Sequence, residues 1–190
     1  VRWNNYMLAG PRSIFGDAVH AAFSEADRLG VTRLVIDLRW NAGGDFTRGR
    51  EYVLSELRAR PRFLRPRSLY ALIGRRTFSA AMVNAIDLKQ QAGAVLVGEP
   101  TGQRPNGYSE AGFFTLPASG LQGTVSICRY DLWPRDEPGV PPDQLIPPHW
   151  HDVLEGRDSA MEWIVAEPPP DPAAAPFRPT VKVTPPCRRR

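Results

Sequence analysis

Apolar and polar positions along this chain follow two rhythms, and the rhythm changes near residue 112. Before that point, short continuous apolar runs are separated by stretches in which apolar residues recur every three or four positions. "VRWNNYML" (1–8) reads as a short opening strand, and "RSIFGDAVHAAFSEADRLG" (12–30) predicts an amphipathic helix with Ser13 or Asp17 near its start and Gly30 as its stop. "RLVIDL" (33–38) has the unbroken apolar character of a strand buried on both faces. The turn "NAGGD" follows, then a helix "FTRGREYVLSELRA" (46–59), a strand "SLYALIG" (68–74), a helix "SAAMVNAIDLKQQ" (79–91) and a strand "AVLVGE" (94–99). This order predicts an α/β fold, with parallel strands joined by crossover helices. From residue 112 the texture becomes β-rich, in "GFFTLP" and "GTVSICRYDLW". A Pro-rich loop, "PRDEPGVPPDQLIPP", then leads to a last helix near "RDSAMEWIVAE", with Asp158 or Ser159 as its cap.

Composition narrows this picture. A chain of 190 residues that is 42% hydrophobic fills one ordinary core, so residues 1–167 are expected to form a single domain. Residues 168–190, "PPPDPAAAPFRPTVKVTPPCRRR", carry too few large apolar side chains to fold alone and read as a disordered, basic tail. Much of the net charge of +4 sits in the terminal "RRR", and no basic stripe interleaves with aromatics, so no nucleic-acid partner is expected. No run approaches the roughly 18 apolar residues of a membrane helix. The chain opens on Val1 and so reads as a piece of a longer protein, in which a signal segment or an upstream domain would lie outside this sequence. Cys128 and Cys187 have no metal-ligand spacing, and a disulfide between them is compatible with the sequence without being required by it. No cofactor is implied, and nothing in the residues indicates an oligomeric state.

Two turns are candidates for chemistry. "DLRWNAGGD" follows a buried strand and opens a helix, so the N–H groups around Gly43 and Gly44 are expected at a helix N-terminus, where they suit an anion or the oxyanion of an acyl transfer. Neither a dinucleotide nor a P-loop pattern is met, and a plain strand-to-helix turn explains the glycines equally well. Ser79, before "AAMVNAIDL", is likewise either a nucleophile at a helix start or an ordinary N-cap.

The collinear set "LVIDLRWNAGGD", "RRTFSAAMVNAI", "GAVLVGEPTGQ", "FFTLPASGLQ" and "GVPPDQLI" resembles the C-terminal processing (tail-specific) serine peptidase family over about residues 33–165. The resemblance implies a ClpP/crotonase-like core of stacked ββα units, hydrolysis of a peptide or protein substrate, and an extracytoplasmic (periplasmic or secreted) location. The family's nucleophile is the third residue of a Ser/Thr-Ala-Ser-Ala-Ser-Glu stretch, a position that Ser79 takes in "TFSAAM". The oxyanion hole it implies combines the Ala80 N–H with one from Gly43 or Gly44.

The family's base is a lysine in a "GEKTFGKG"-like turn, and here the sequence departs. "GEPTGQRPNGY" puts Arg104 in that place, and a guanidinium does not give up its proton. The only lysines are Lys89, ten residues down the helix from Ser79, and Lys182, in the tail. The base is therefore expected from a histidine upstream of Val1, as in tricorn-type peptidases, or from Tyr108, Glu110, His20, His149 or His151. Arg104 could bind a substrate carboxylate. A ClpP/crotonase-like module that has lost catalysis is the alternative, binding a peptide or an apolar ligand against aromatics such as Trp40, Phe46 and Phe78. Acyl-CoA chemistry of the crotonase kind shares the fold but finds no motif here.

Overall fold

The computed structural model describes residues 12–179 and 188–189. The expected opening strand, residues 1–8, lies outside the described residues. Helix α1 (Arg12–Arg28) leads to strand β1 (Leu34–Asp37). The expected long helix follows in three parts: α2 (Phe46–Arg48), a π-helical turn (Gly49–Val53) and α3 (Leu54–Arg58). Next come a 3₁₀ turn (Pro61–Leu64), β2 (Leu69–Ile73), α4 (Ala80–Ala92) and β3 (Val95–Gly98). The β-rich part is a long hairpin, β4 (Asn106–Thr115) and β5 (Gln122–Asp131), followed by β6 (Gln144–Leu145), α5 (Trp150–Leu154), α6 (Ser159–Ala166) and β7 (Arg188–Arg189).

Strands β1, β2, β3 and β6 form a parallel sheet in that order, and β4, β5 and β7 form an antiparallel one. The fold is α/β with a β-rich C-terminal part. Every residue of β2 is buried, and the pleat sends its side chains alternately to two layers. Leu69, Ala71 and Ile73 join the larger core beneath α1, α3 and α4, whereas Tyr70 and Leu72 join Val97, Ala160 and Ile164 beneath α6. The unbroken apolar run that predicts a two-faced strand has this layering as its cause.

Two arginines hold the second layer in place. Arg33 donates to the carbonyls of Ile164 (2.7 Å), Glu167 (2.9 Å) and Pro168 (2.6 Å), satisfying the end of α6 where the helix leaves carbonyls without partners. Arg39, just past β1, forks between Asp37 (2.8 Å) and Asp158 (2.7 Å). Asp158 is the N-cap of α6, its side chain accepting from the Met161 N–H at 3.1 Å. One guanidinium thus couples the end of a strand to the start of a helix far along the chain.

Residues 168–179 belong to the segment expected to be an unpacked tail, and they make defined contacts. The Phe177 N–H donates to the Leu64 carbonyl at 2.6 Å, and its half-buried ring lies over Gly93. Gly93 ends α4 with φ 71°, and a Cβ there would meet the Phe177 Cγ at 2.6 Å, so the same glycine serves as helix stop and ring seat. Arg188 and Arg189 pair with β5 beside Cys128, which is buried and disulfide-bonded. Cys187 lies outside the described residues.

Two stability measurements follow. Arg39→Ala is expected to cost about 2 kcal/mol at neutral pH, since it leaves the Asp37 and Asp158 carboxylates without their shared cation in a partly exposed site. Burial pushes the Asp158 carboxyl up, but Arg39 and the Met161 N–H together hold it below its ordinary value. A depressed carboxyl stabilises the fold above its unfolded pKa and loses that contribution as pH falls through its folded one. The gap between wild-type and Arg39→Ala melting curves should therefore narrow below about pH 4. Phe177→Ala should lower stability by about 1.5 kcal/mol, seen as a fall of about 3–6 °C in Tm.

Candidate active site

Three loops leave the C-terminal ends of β1, β2 and β3, and they converge on Thr77. Its fully buried hydroxyl donates to the Leu38 carbonyl (2.8 Å) and accepts the Gly74 N–H (3.0 Å), while its carbonyl accepts the Gly102 N–H (3.1 Å). Alongside, the Phe78 N–H donates to the Asn41 carbonyl at 3.1 Å. The loops are thereby fixed to one another immediately before Ser79.

Ser79 has φ 52° and ψ −123°, a conformation that side-chain-bearing residues rarely adopt and that costs about 1–3 kcal/mol. It precedes α4, yet its hydroxyl makes no capping hydrogen bond to the helix. An ordinary N-cap is extended and turns its oxygen back onto the first N–H groups, so the capping role is not the one this serine plays. Its own N–H donates to the Gln103 Oε1 at 2.7 Å, across from the loop after β3. A strained backbone and a hydroxyl that makes no capping bond set Ser79 apart from an ordinary N-cap.

Gly43 lies directly behind it. With φ 112°, this glycine packs so closely that a Cβ would stand 2.7 Å from the Ser79 Cβ and 3.0 Å from the Ala80 nitrogen. Its N–H is taken by the Asn41 Oδ1 at 2.9 Å. Gly44 (φ 130°) and Ala80, whose N–H heads α4, both line the cleft in front of Ser79. Of the two glycines, Gly44 is the one placed to serve an anion there, while Gly43 supplies the close approach.

The cleft holds about 400 Å³ and is walled by Phe46, Phe78, Met82, Val83, Tyr130 and Leu132 on its apolar side. Arg104, Tyr108 and Glu110 line it too, so the structure brings together all three base-position candidates with Ser79. Arg104 is exposed and pairs with Asp136 at 3.3 Å. Glu110 has φ 58° and accepts the Tyr130 hydroxyl at 2.9 Å. Ser79, Glu110 and Arg67 are the only non-glycine residues with positive φ among the described residues, and two of the three face this cleft.

The other proton acceptors lie elsewhere. Lys89 forms an ion pair with Asp143. His20 bonds to Glu56 at 2.8 Å on the surface, and His151 pairs with Glu155. His149 lines a second concavity, of about 310 Å³, which also holds Trp40. Trp40 is thus not a wall of the Ser79 cleft: it follows β1 on the α6 side, stacked under Arg76 at 5.2 Å. Lys182 lies outside the described residues. No group of three or more His, Cys, Asp or Glu able to hold a metal occurs among the described residues, and no helix there is long and apolar enough to cross a membrane.

The floor of the site is α4, which carries polar side chains into the core. Asp87 meets Arg50 of the π turn at 2.7 Å, and burial pushes its carboxyl up against the pull of Arg50 and Asn84. Asn84 donates to the Phe46 carbonyl at 3.0 Å and fills the space at Gly49 where a Cβ would collide with its amide. The local widening of the predicted helix into a π turn accommodates this polar packing beneath α2.

Comparison with solved structures bears on the fold. The chain shares the fold of a C-terminal processing protease. A photosystem II D1 C-terminal processing protease superposes with a TM-score of 0.54 at 23% identity, over 78% of this chain and 42% of that one. A candidate peptidase from Parabacteroides merdae gives 0.52 at 18% identity, over 86% of this chain and 58% of that one. A lipoprotein from Streptococcus agalactiae gives 0.50 at 11% identity, over 87% and 65%. The chain therefore spans about half the length of the proteins it superposes on. No protein-family profile matches its sequence, and no curated protein does.

Gln103, Asn41 and Thr77 escape a reading of the sequence, because their bonds to Ser79, Gly43 and Leu38 are made only in the folded chain. The tight seat behind Ser79 sets a direct test. Gly43→Ala should cost at least about 2 kcal/mol, because the new Cβ meets backbone atoms that cannot move aside and sits at a forbidden φ. A Tm fall of about 4 °C or more is expected, together with loss of any reactivity at Ser79.

Proposed function

We propose that this domain is a serine peptidase of the tail-specific type, cleaving peptide bonds through an acyl-enzyme on Ser79. The conformation of Ser79 carries the reading: a strained backbone at a helix start, an uncapped hydroxyl, and a cleft in front of it. Gly44 and Ala80 supply the N–H groups for the oxyanion, with the positive end of α4 behind them.

Glu110 takes the part of the base. It is the one carboxylate among the described residues lining the cleft, where neither lysine nor histidine is found, and Tyr130 orients it by a hydrogen bond to Oε1. In the acylation step the Ser79 Oγ bonds to the scissile carbonyl carbon and the π pair moves onto oxygen, while the hydroxyl proton passes to Glu110 directly or through one water. Collapse expels the amine, which carries that proton away. Water then repeats the sequence and frees the acid and Ser79. Arg104, at the cleft rim, offers a positive charge to a substrate carboxylate.

An extracytoplasmic location is part of this reading. It is supported by the disulfide at Cys128, a bond that persists in oxidising compartments. The aromatic walls Phe46, Phe78, Tyr108 and Tyr130 also favour the second reading, a module that holds a peptide or apolar ligand without cleaving it.

A fluorophosphonate probe separates the two. The protein should be labelled at Ser79, and Glu110→Gln should slow labelling by about 10²-fold. Ser79→Ala and Ser79→Gly should both abolish it. The glycine variant should be the more stable of the two by about 1 kcal/mol, since only glycine sits without strain at φ 52°. An unlabelled wild type that still binds a peptide or an apolar ligand would establish the binding module instead.

A further inference from the structure

The loop after β3 sends Gln103 across to Ser79, and neither the peptide nor the apolar-ligand reading accounts for it. The Ser79 N–H meets the side-chain amide at 2.7 Å. An N–H can be met only by an acceptor, so the oxygen of the amide faces Ser79 and the NH₂ group faces away. The two ends of a carboxamide lie about 2.2 Å apart, given its C=O and C–N lengths. Gln103 Nε2 therefore stands within about 5 Å of the Ser79 nitrogen. It has no partner among the described residues, and Gln103 lines the same cleft as Gly44 and Ala80.

The loop that presents Gln103 is rigid. Thr101 is buried, its hydroxyl accepting the Val140 N–H at 2.8 Å and donating to the Gln103 carbonyl at 3.2 Å. Gly102 donates to Thr77, and a Cβ there would collide with the Arg75 carbonyl oxygen. The backbone of Gln103 is thus fixed on both sides, and its amide is fixed by Ser79.

We infer that Gln103 does two things at once: its Oε1 holds the strained Ser79 backbone, and its Nε2 donates to the oxygen on which charge develops during acyl transfer. The inference rests on Ser79 being the nucleophile. A side-chain amide acts here as an oxyanion donor beside the Gly44 and Ala80 N–H groups, and one such donor is worth on the order of 10²–10³ in rate. Holding the amide oxygen on Ser79 directs the donor without any further contact, so that nucleophile and oxyanion site are set by one hydrogen bond.

The test is the second-order rate of Ser79 labelling by a fluorophosphonate, whose phosphoryl oxygen occupies the oxyanion position, in the wild type, Gln103→Ala and Gln103→Glu. Gln103→Glu keeps an acceptor for the Ser79 N–H but sets a negative oxygen where the donor was. It should fold with an unchanged Tm and label about 10²-fold or more slowly, at least as poorly as Gln103→Ala. If Gln103 only braces Ser79, the Glu variant will label like the wild type while Gln103→Ala is slow, and the donor role falls. Faster labelling of Gln103→Ala would show a side chain that blocks the cleft and would also overturn the inference. Absence of labelling in the wild type counts against Ser79 as the nucleophile and against the donor assigned to it. Normal wild-type labelling with unchanged variants counts against Gln103 alone.

Discussion

The buried hydroxyl of Thr77 is the point through which the rest of the site is built. A hydroxyl can donate once and accept twice, and this one does both with backbone groups of two different loops, while the Thr77 carbonyl receives the third loop. Three loops after three parallel strands are thereby held in a single arrangement at zero solvent exposure. Loss of one partner would leave buried donors or acceptors unpaired, at a cost of about 1–3 kcal/mol each. That rigidity is what allows Ser79, two residues on, to hold a backbone conformation that would relax in a looser setting. Strain of this kind persists only where the surroundings over-determine it.

Close backbone approach does the complementary work. Gly43 brings the loop after β1 into contact with Ser79, and Asn41, fully buried, ties up the Gly43 N–H. The two glycines that a sequence reading treats alike thus divide their roles. Gly43 is a spacer whose missing side chain makes room, while Gly44, exposed at the mouth, faces what enters. A glycine pair at a strand-to-helix turn signals that something must pass close by, but which of the two N–H groups remains available depends on a side chain two residues earlier.

Much of the fold is legible because burial on both faces leaves an unbroken apolar run, as in "SLYALI", and because α4 is bounded by Ser79 and Gly93. The cleft is legible in part, since Ser79, Gly44, Ala80, Arg104, Tyr108 and Glu110 all meet there. What escapes is set by contacts between distant residues. Trp40 looks like a cleft aromatic but lines the concavity on the α6 side with Arg39, where it stacks under Arg76. Phe177 sits in a segment whose composition is that of a tail, yet a single aromatic ring over a bare glycine provides enough contact to anchor it. Composition averages over a segment, whereas docking depends on one residue.

Arg104, where the resemblance to the tail-specific peptidases implies a lysine, gives the proposed site a different chemistry. A lysine base works by being desolvated, so a site of that type must bury its cation and keep water away. An arginine cannot be made to release its proton, and here it lies exposed against Asp136. In the proposed mechanism the helix start, the Gly44 turn and the amide of Gln103 serve the developing negative charge, and the carboxylate of Glu110 takes the proton. A carboxylate is a weaker base than a neutral lysine, and it repels the oxyanion if it stands too near. Glu110 is therefore useful only if it sits toward the far side of the cleft, tethered by Tyr130 and separated from the oxyanion donors by the substrate. Glu110 lies on β4 of the hairpin, not on the sheet loops that carry Gly44 and Ser79, and the Tyr130 hydroxyl ties it to β5.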